Sequence, residues 1–247
     1  MKVSGVAPDT TPKNFMNIKN CRTLITGGSK GIGFAIAETM RMMGAKIAIT
    51  GRDQNLLNKA ARTLGVIPIV SDVRNELDCE DAVKKTLEEL GGLDVLVNNA
   101  GVSHYSSVES MQTKHFENVW TTNVVGSMVM TREVIPTFKK QKRGAIVNIG
   151  STAALRGYEN ASAYVATKFA LRGMTQCWQE ELRRYNIRIF LVNPSEVQTN
   201  FGKKTGPKRL FPNKLYPQDI AHAVVSCLAM ENRSFVPEIV IYATNPW

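Results

Sequence analysis

The sequence predicts an α/β protein, a single domain on a doubly wound parallel sheet of about seven strands with helices on both faces. Three observations carry this. Short apolar runs rich in Val and Ile recur along the chain, several almost continuously apolar, as strands buried on both faces require. The segments between them have helical spacing. Strand and helix alternate, an order that favours parallel strands joined by right-handed crossovers.

Residues 1–17 are expected to be an extension before the core, and 18–247 the domain itself. The extension holds Gly5, Pro8 and Pro12 and no continuous apolar stretch, so it does not read as a secretory signal. Strands are expected over residues 23–26, 46–50, 66–70, 93–97, 145–149, 187–192 and 239–242. Helices are expected over 34–43, after Asp53, over 78–90 and over 161–184. In the segment 78–90, Cys79, Ala82, Val83, Thr86, Leu87 and Leu90 fall on one stripe, while Glu80, Lys84, Glu88 and Glu89 point away. Lys139, Lys140, Lys142 and Arg143 precede the fifth strand, as cations at a helix carboxyl terminus do. The one long polar interruption, at about 200–218, is rich in Lys, Gly and Pro. Ligands in such sheets sit at the carboxyl ends of the strands, so this segment is a candidate substrate loop.

Composition removes other classes. Of 247 residues 43% are hydrophobic and 21% charged, too apolar for a disordered chain. Four scattered Cys without a CxxC pair, beside three His, exclude a disulfide scaffold and leave no metal site to expect. They read as thiols of a reducing, cytoplasmic compartment. No apolar run is long enough to span a membrane, so no membrane partner is expected. The net charge of +10 would suit nucleic acid, an acidic partner or a phosphorylated ligand. No helix-turn-helix, RNP motif or zinc spacing accompanies it, which sets nucleic acid aside.

The first strand runs into Thr26-Gly27-Gly28-Ser29-Lys30-Gly31-Ile32-Gly33 and then a helix. Glycines there permit a tight turn, backbone approach to a pyrophosphate and close helix packing, with the helix N-terminus facing the anion. The spacing is Gly-xxx-Gly-x-Gly rather than GxGxxG. The second strand ends at Thr50-Gly51-Arg52-Asp53. Asp53 lies about twenty residues past the glycines, where an acid would hold the ribose 2′-OH of NAD, but it also suits a helix N-cap. Arg52 and Lys30 would instead meet a 2′-phosphate, so NADP(H) is expected over NAD(H). Further on, Tyr164 and Lys168 stand four apart on one expected helix, hence on one face. A neighbouring ammonium, helped by an oxidised nicotinamide, would bring the phenol from its ordinary value near 10 toward neutrality. Ser151 follows the fifth strand and would present a hydroxyl at its carboxyl end.

Taken together, Thr26 to Gly33, Asp72-Val73, Asn98-Asn99-Ala100-Gly101, Asn123, Ser151, Tyr164-Val165-Ala166-Thr167-Lys168 and Asn193-Pro194 resemble the short-chain dehydrogenase/reductase family, in its order and over roughly residue 18 to the end. The resemblance implies a Rossmann-type fold and a carbonyl–alcohol oxidoreductase. It implies that Gly27, Ser29, Lys30, Gly31, Ile32 and Gly33 cradle the cofactor phosphates, with Arg52 beside them. Asp72 and Val73 would meet the adenine, and Asn99, Ala100 and Gly101 the adenosine ribose side. Tyr164 would donate the proton to a carbonyl oxygen, Ser151 would hydrogen-bond that oxygen, and Lys168 would tune Tyr164 and hold the nicotinamide ribose. Asn123 would anchor a water that links Lys168 to solvent. Pro194, Val197 and Thr199 stand where the carboxamide contacts are expected.

Two departures stand out. Ser195 replaces the glycine usual after Pro194, so the turn must avoid a glycine-only conformation or carry strain. The tail lacks the family's common Gly-Gly ending. The most populated branch with this pattern is the 3-oxoacyl-acyl-carrier-protein reductases of fatty acid biosynthesis. An acidic carrier would be recruited by a basic face near the site, for which Lys139–Arg143, Arg183 and Arg184 are candidates. Substrate-side candidates are His104, Tyr105, Leu155, Tyr158 and Glu196. The rival readings are a dehydrogenase of another small alcohol (a sugar, steroid or quinone) and a non-catalytic dinucleotide sensor. A dimer or tetramer of identical chains is implied by the same resemblance.

Overall fold

The computed structural model describes residues 16–199, 201–202, 211–231, 233–234 and 236–245. Most of the expected N-terminal extension, and positions 200 and 203–210 of the expected substrate loop, lie outside these residues.

Among the described residues, seven strands and seven α-helices follow one another as β1 (Arg22–Ile25), α1 (Gly31–Met42), β2 (Lys46–Gly51), α2 (Gln54–Leu64), β3 (Ile67–Val70), α3 (Glu76–Leu90), β4 (Val95–Asn98), α4 (Thr113–Trp120), α5 (Gly126–Gln141), β5 (Gly144–Ile149), α6 (Ser162–Leu182), β6 (Ile187–Pro194), α7 (Pro217–Leu228) and β7 (Glu238–Ile241). Every strand pair is parallel, in the order β3-β2-β1-β4-β5-β6-β7. The chain therefore winds outward from β1 in one direction and from β4 in the other. The loops after β1 and β4 part at this switch point and leave a crevice at the carboxyl edge.

The strands β4, β5 and β6 are buried along their whole length, which is why their sequences read as continuous apolar runs. One core packs α1, α2 and α7 on one face, through residues such as Ile36, Met40, Leu57 and Val224. The other packs α3 and α5 with the end of α6, through Cys79, Val83, Met130, Phe138 and Leu182.

Helix boundaries follow local chemistry. Asn75 accepts hydrogen bonds from the N–H groups of Leu77 and Asp78 and starts α3 two residues before the expected start at 78. Gly65 and Gly91 end α2 and α3 at φ of 65° and 70°. Residues Thr121–Val125 form a π-helical turn that joins α4 to α5, a feature with no counterpart in the apolar spacing. Among the described residues no helix is long and apolar enough to cross a membrane.

At the opposite, amino-terminal edge of the sheet, Asp94 joins three segments. Its carboxylate accepts from the Arg22 N–H at 3.0 Å and from the Arg22 guanidinium at 2.8 Å, and Arg143 approaches at 3.1 Å. Its own N–H donates to Arg22 and its carbonyl accepts from Ala145. Burial pushes the carboxyl up, but the hydrogen bonds from Arg22 and the charges of Arg22 and Arg143 outweigh that and hold it below the ordinary carboxylate range. Such a group stabilises the fold above its unfolded-state pKa, and the contribution is lost as pH falls through the folded value. Asp94→Asn is expected to cost about 2–4 kcal/mol in denaturant unfolding at pH 7. The difference from wild type is expected to shrink as both proteins are taken into acid.

Candidate active site

The turn after β1 and the turn after β4 are fastened by one hydroxyl. Thr26 Oγ1 accepts from the N–H groups of Asn99 and Ala100, both at 3.0 Å, and donates to the Val97 carbonyl at 3.3 Å. The Asn99 side-chain amide returns the contact by donating to the carbonyls of Thr26 and Gly27 at 2.9 and 3.0 Å. Gly27 and Gly31 take left-handed φ values of 65° and 59°. Gly33 does not line the crevice; a Cβ there would stand 2.6 Å from the Gly27 carbonyl, so this glycine lets α1 close onto the turn. The Lys30 N-cap makes no side-chain capping bond and the first turn holds no acid, so the N–H groups of α1 present their positive end to the crevice.

This crevice is a cleft of about 1320 Å³. Its walls bring together Gly27, Ser29, Lys30, Gly31, Ile32, Arg52, Asp72, Val73, Asn99, Ala100, Gly101, Pro194, Val197 and Thr199 with Ser151, Tyr164 and Lys168. Ser195, which replaces the usual glycine, adopts no left-handed φ; its N–H donates to the Ile241 carbonyl at 2.8 Å. The turn carries a side chain there without strain.

The two acids near the β2 and β3 ends are both engaged. Asp53 caps α2, accepting from the Leu56 N–H at 3.0 Å. Asp72 is gripped by Arg74, whose guanidinium comes within 2.6 Å, with Arg52 farther off at 3.9 Å. Burial raises the Asp72 carboxyl, and the hydrogen bonds and charge of Arg74, with the charge of Arg52, bring it below the ordinary range. Arg52 remains half exposed at the rim.

Ser151 opens a 3-10 turn (Thr152–Ala154) at the end of β5, its hydroxyl accepting from the Ala153 N–H at 3.1 Å. It shares the cleft wall with Tyr164 and pulls the phenol's pKa down. Tyr164 and Lys168 are one turn apart on α6, both buried, and the Lys168 ammonium donates to the Ile149 carbonyl at 2.8 Å. Burial pushes the Tyr164 phenol up to about 12, against the pull of Ser151, and pushes the Lys168 ammonium down to about 8. The expected fall of the phenol toward neutrality is thus not produced by the protein's own groups. Lys168 Nζ lies 5.7 Å from the ring centroid, and both groups lose hydration.

Asn123 lies in the π-helical turn behind these residues. Its side-chain amide donates to the Val102 carbonyl and to Thr167 Oγ1, at 2.9 and 3.0 Å, and accepts from the Val102 N–H at 2.9 Å. Asn98 Nδ2 bonds Asn148 and Thr131, a structural contact inside the core.

On the substrate side, Tyr105, Tyr158 and Glu196 line the cleft, and Glu196 pairs with Lys214 at 2.8 Å. His104 and Leu155 do not line it, contrary to expectation. The His104 ring packs on His115 with centroids 4.2 Å apart, which draws it out of the cleft wall. Phe201, not singled out in the sequence, stands 5.7 Å from the Tyr164 ring and Tyr105 stands 6.3 Å from it, centroid to centroid. Only its place in the polar segment 200–218 could have pointed to Phe201. The expected basic face is also misplaced. Lys139–Arg143 precede β5, whereas Ser151 follows it, so the strand's six residues, about 20 Å, separate them. Lys139 lies over the Tyr185 ring and Arg143 pairs with Asp94. Arg183 and Arg184 lie at the far end of α6 from Tyr164. Among the described residues no group of three His, Cys, Asp or Glu could hold a metal ion.

A family model described as short chain dehydrogenase matches residues 22–210. An uncharacterized oxidoreductase of Staphylococcus saprophyticus is 30% identical over 226 residues, covering 88% of this chain and 95% of that protein. Among solved structures, a 3-ketoacyl-(acyl-carrier-protein) reductase from Brucella melitensis complexed with NADH superposes with a TM-score of 0.84 at 28% identity, over 92% of this chain and 98% of that one. An alcohol dehydrogenase from the archaeon Thermococcus sibiricus, complexed with 5-hydroxy-NADP, gives 0.82 at 26% identity, over 91% and 97%.

The buried ammonium makes a prediction of its own. Lys168 is charged in both folded and unfolded chains below about pH 8, so its burial opposes folding there. That opposition is relieved as pH rises from about 8 toward the ordinary lysine value, where only the unfolded chain holds the proton. Lys168→Met is expected to raise the melting temperature of the cofactor-free protein by a few degrees at pH 7. Melting curves across alkaline pH are expected to show that advantage shrinking.

Proposed function

The chain belongs to the short-chain dehydrogenase family, and on that premise we propose that it is an NADP(H)-dependent reductase of a ketone or 3-oxoacyl substrate, with Tyr164 as its acid/base. One observation carries the reading: Ser151 and Tyr164, with Lys168 one turn on, share a single cleft with the glycine turn. The glycine turn fits a dinucleotide, since a Cβ at Gly27 would reach within 3.0 Å of Ala100 and the α1 N–H groups face the space left. A nicotinamide cofactor bound there supplies or accepts the hydride.

The chain's own residues handle the proton. Tyr164 donates it to the carbonyl oxygen, and the Ser151 hydroxyl hydrogen-bonds that same oxygen as negative charge develops. Lys168 is held against the Ile149 carbonyl within reach of the phenolate charge that remains. Its ammonium gains a partner at the moment Tyr164 loses its proton, which favours ionised Tyr164 in turnover. Asn123, whose side-chain amide holds Val102 and Thr167 just behind the pair, would anchor the water that links Lys168 to solvent.

NADP is favoured over NAD because Asp53, the acid a ribose 2′-OH would need, is spent on the α2 cap, while Arg52 and Lys30 stand at the cleft rim. The structural relatives include proteins complexed with either kind of cofactor. The aromatic wall of Tyr105, Tyr158 and Phe201 suits an apolar substrate body. A 3-oxoacyl chain and another secondary alcohol both satisfy it, and the misplaced cations take away the argument for an acidic carrier.

A panel of ketones and 3-oxoacyl thioesters with NADPH tests the reading; no carbonyl-dependent NADPH oxidation would refute it. Tyr164→Phe is expected to lower kcat by roughly 10²–10⁴-fold while leaving NADPH binding nearly intact, read by cofactor fluorescence. Arg52→Ala is expected to weaken NADPH by roughly 10- to 100-fold and NADH little. Equal losses for the two cofactors would overturn the 2′-phosphate assignment.

A further inference from the structure

Behind Ser151 and Tyr164 runs a line of hydrogen bonds whose members beyond Ser151 are not motif residues, apart from Asn193. The Ser151 N–H donates to Asn193 Oδ1 at 3.0 Å. Asn193 Nδ2 donates to Glu238 Oε1 at 2.7 Å. The other carboxylate oxygen of Glu238 accepts from Arg172 Nε at 3.0 Å. Asn193 is the penultimate residue of β6 and wholly buried, and Glu238 is the first of β7. Arg172 lies on α6, one turn beyond Lys168 and two beyond Tyr164. Gly150 leaves the room that the Asn193 amide occupies, since a Cβ there would strike Asn193 Oδ1.

The line closes a loop. It begins at the backbone of one member of the reacting pair and returns to the helix that bears the other. Lys168 ties the same helix to the Ile149 carbonyl, two residues before Ser151, so the end of β5 meets α6 by two separate routes. The chemistry at 238 is specific. A carboxylate accepts from both Asn193 and Arg172, whereas a glutamine could accept from only one of them and would set its NH₂ against the other donor. A contact needed merely to seat β7 could be apolar. This one places a charged residue between a buried amide and a guanidinium.

We propose that Glu238 is a positioning residue which, through Asn193 on one side and Arg172 on the other, fixes Ser151 against Tyr164 for proton transfer. The inference rests on the reading of Ser151 and Tyr164 given above. Ser151 is the neighbour that pulls the Tyr164 phenol down against its burial, so a Ser151 that drifts releases the phenol upward. The other titratable groups facing Tyr164 are Lys168 on α6 and Tyr105 and Tyr158 from the loops across the cleft, and the line touches none of them.

The test titrates Tyr164 by its ultraviolet phenolate absorbance in protein saturated with NADP⁺, taking wild type minus Tyr164→Phe; no substrate is required. Arg172→Ala, on a partly exposed helix position, and Glu238→Gln are each compared with the same variant carrying Tyr164→Phe. Both are expected to move the Tyr164 titration up by about one unit, with melting temperatures recorded on the same samples. The double variant is expected to go no further than either single one, because the two residues act as a unit. An unmoved titration in Arg172→Ala and Glu238→Gln, with or without a lower melting temperature, would leave the line a structural tie and overturn the proposal. If NADP⁺ does not lower the Tyr164 titration in wild type at all, the functional reading itself fails, and this inference with it.

Discussion

The site depends on one contact inside the sheet, the hydrogen bond of 2.9 Å between the side chains of Asn98 and Asn148. These two are register partners at the ends of β4 and β5, and both are buried where an unpartnered amide would be costly. Asn98 reaches Thr131 on α5 and Asn148 reaches Thr175 on α6, so the pair binds two strands to two helices beneath the cleft floor. Apolar packing would tolerate small slides between these layers. Directional bonds between buried amides do not, because each slide would leave a donor without its acceptor. The strand ends that carry Asn99 on one side and Ser151 on the other are thereby held at constant separation.

Above that floor, the switch in winding direction between β1 and β4 makes the cleft, and Thr26 keeps its two lips together. The glycines have a narrower role than their number implies. Gly27 and Gly31 supply left-handed turns, while Gly33 lets helix and turn approach. The positive end of α1 then lies open along one lip, where a phosphate can complete the helix's hydrogen bonds. The acids nearby are tied to a helix cap and to Arg74, which leaves the balance at the rim positive.

The buried Tyr164–Lys168 pair illustrates how stability and the proposed acid/base role pull in opposite directions. Burying Tyr164 and Lys168 together moves both pKa values away from what each group would have in water, the phenol up and the ammonium down. Neither shift favours the folded chain. Both leave the pair ready for a partner charge, since a phenolate and an ammonium formed side by side in a dry site stabilise each other far more than they would in water. The Ile149 carbonyl holds Lys168, and Asn123 holds Thr167 between the two residues, which keeps the pair in place despite that cost.

The sequence by itself determined the architecture, the glycine turn and the identity of the acid/base candidates. Those signals are local. Apolar runs mark strands buried on both faces, an i, i+4 pair shares a helix face, and a glycine motif needs no partner to be read. Strand and helix limits drifted by one to three residues, because caps such as Asn75 and turns such as 91–94 decide them. What only the tertiary structure decided was how side chains distant in sequence are used. Asp53 met a counting rule yet serves as a cap, His104 turns to His115, and the cations at 139–143 fall at the wrong end of β5. Phe201 and Glu238 carry no motif of their own. Their roles arise from what stands opposite them once the sheet is wound, and hydrogen-bond partners separated by scores of residues leave no periodicity to read.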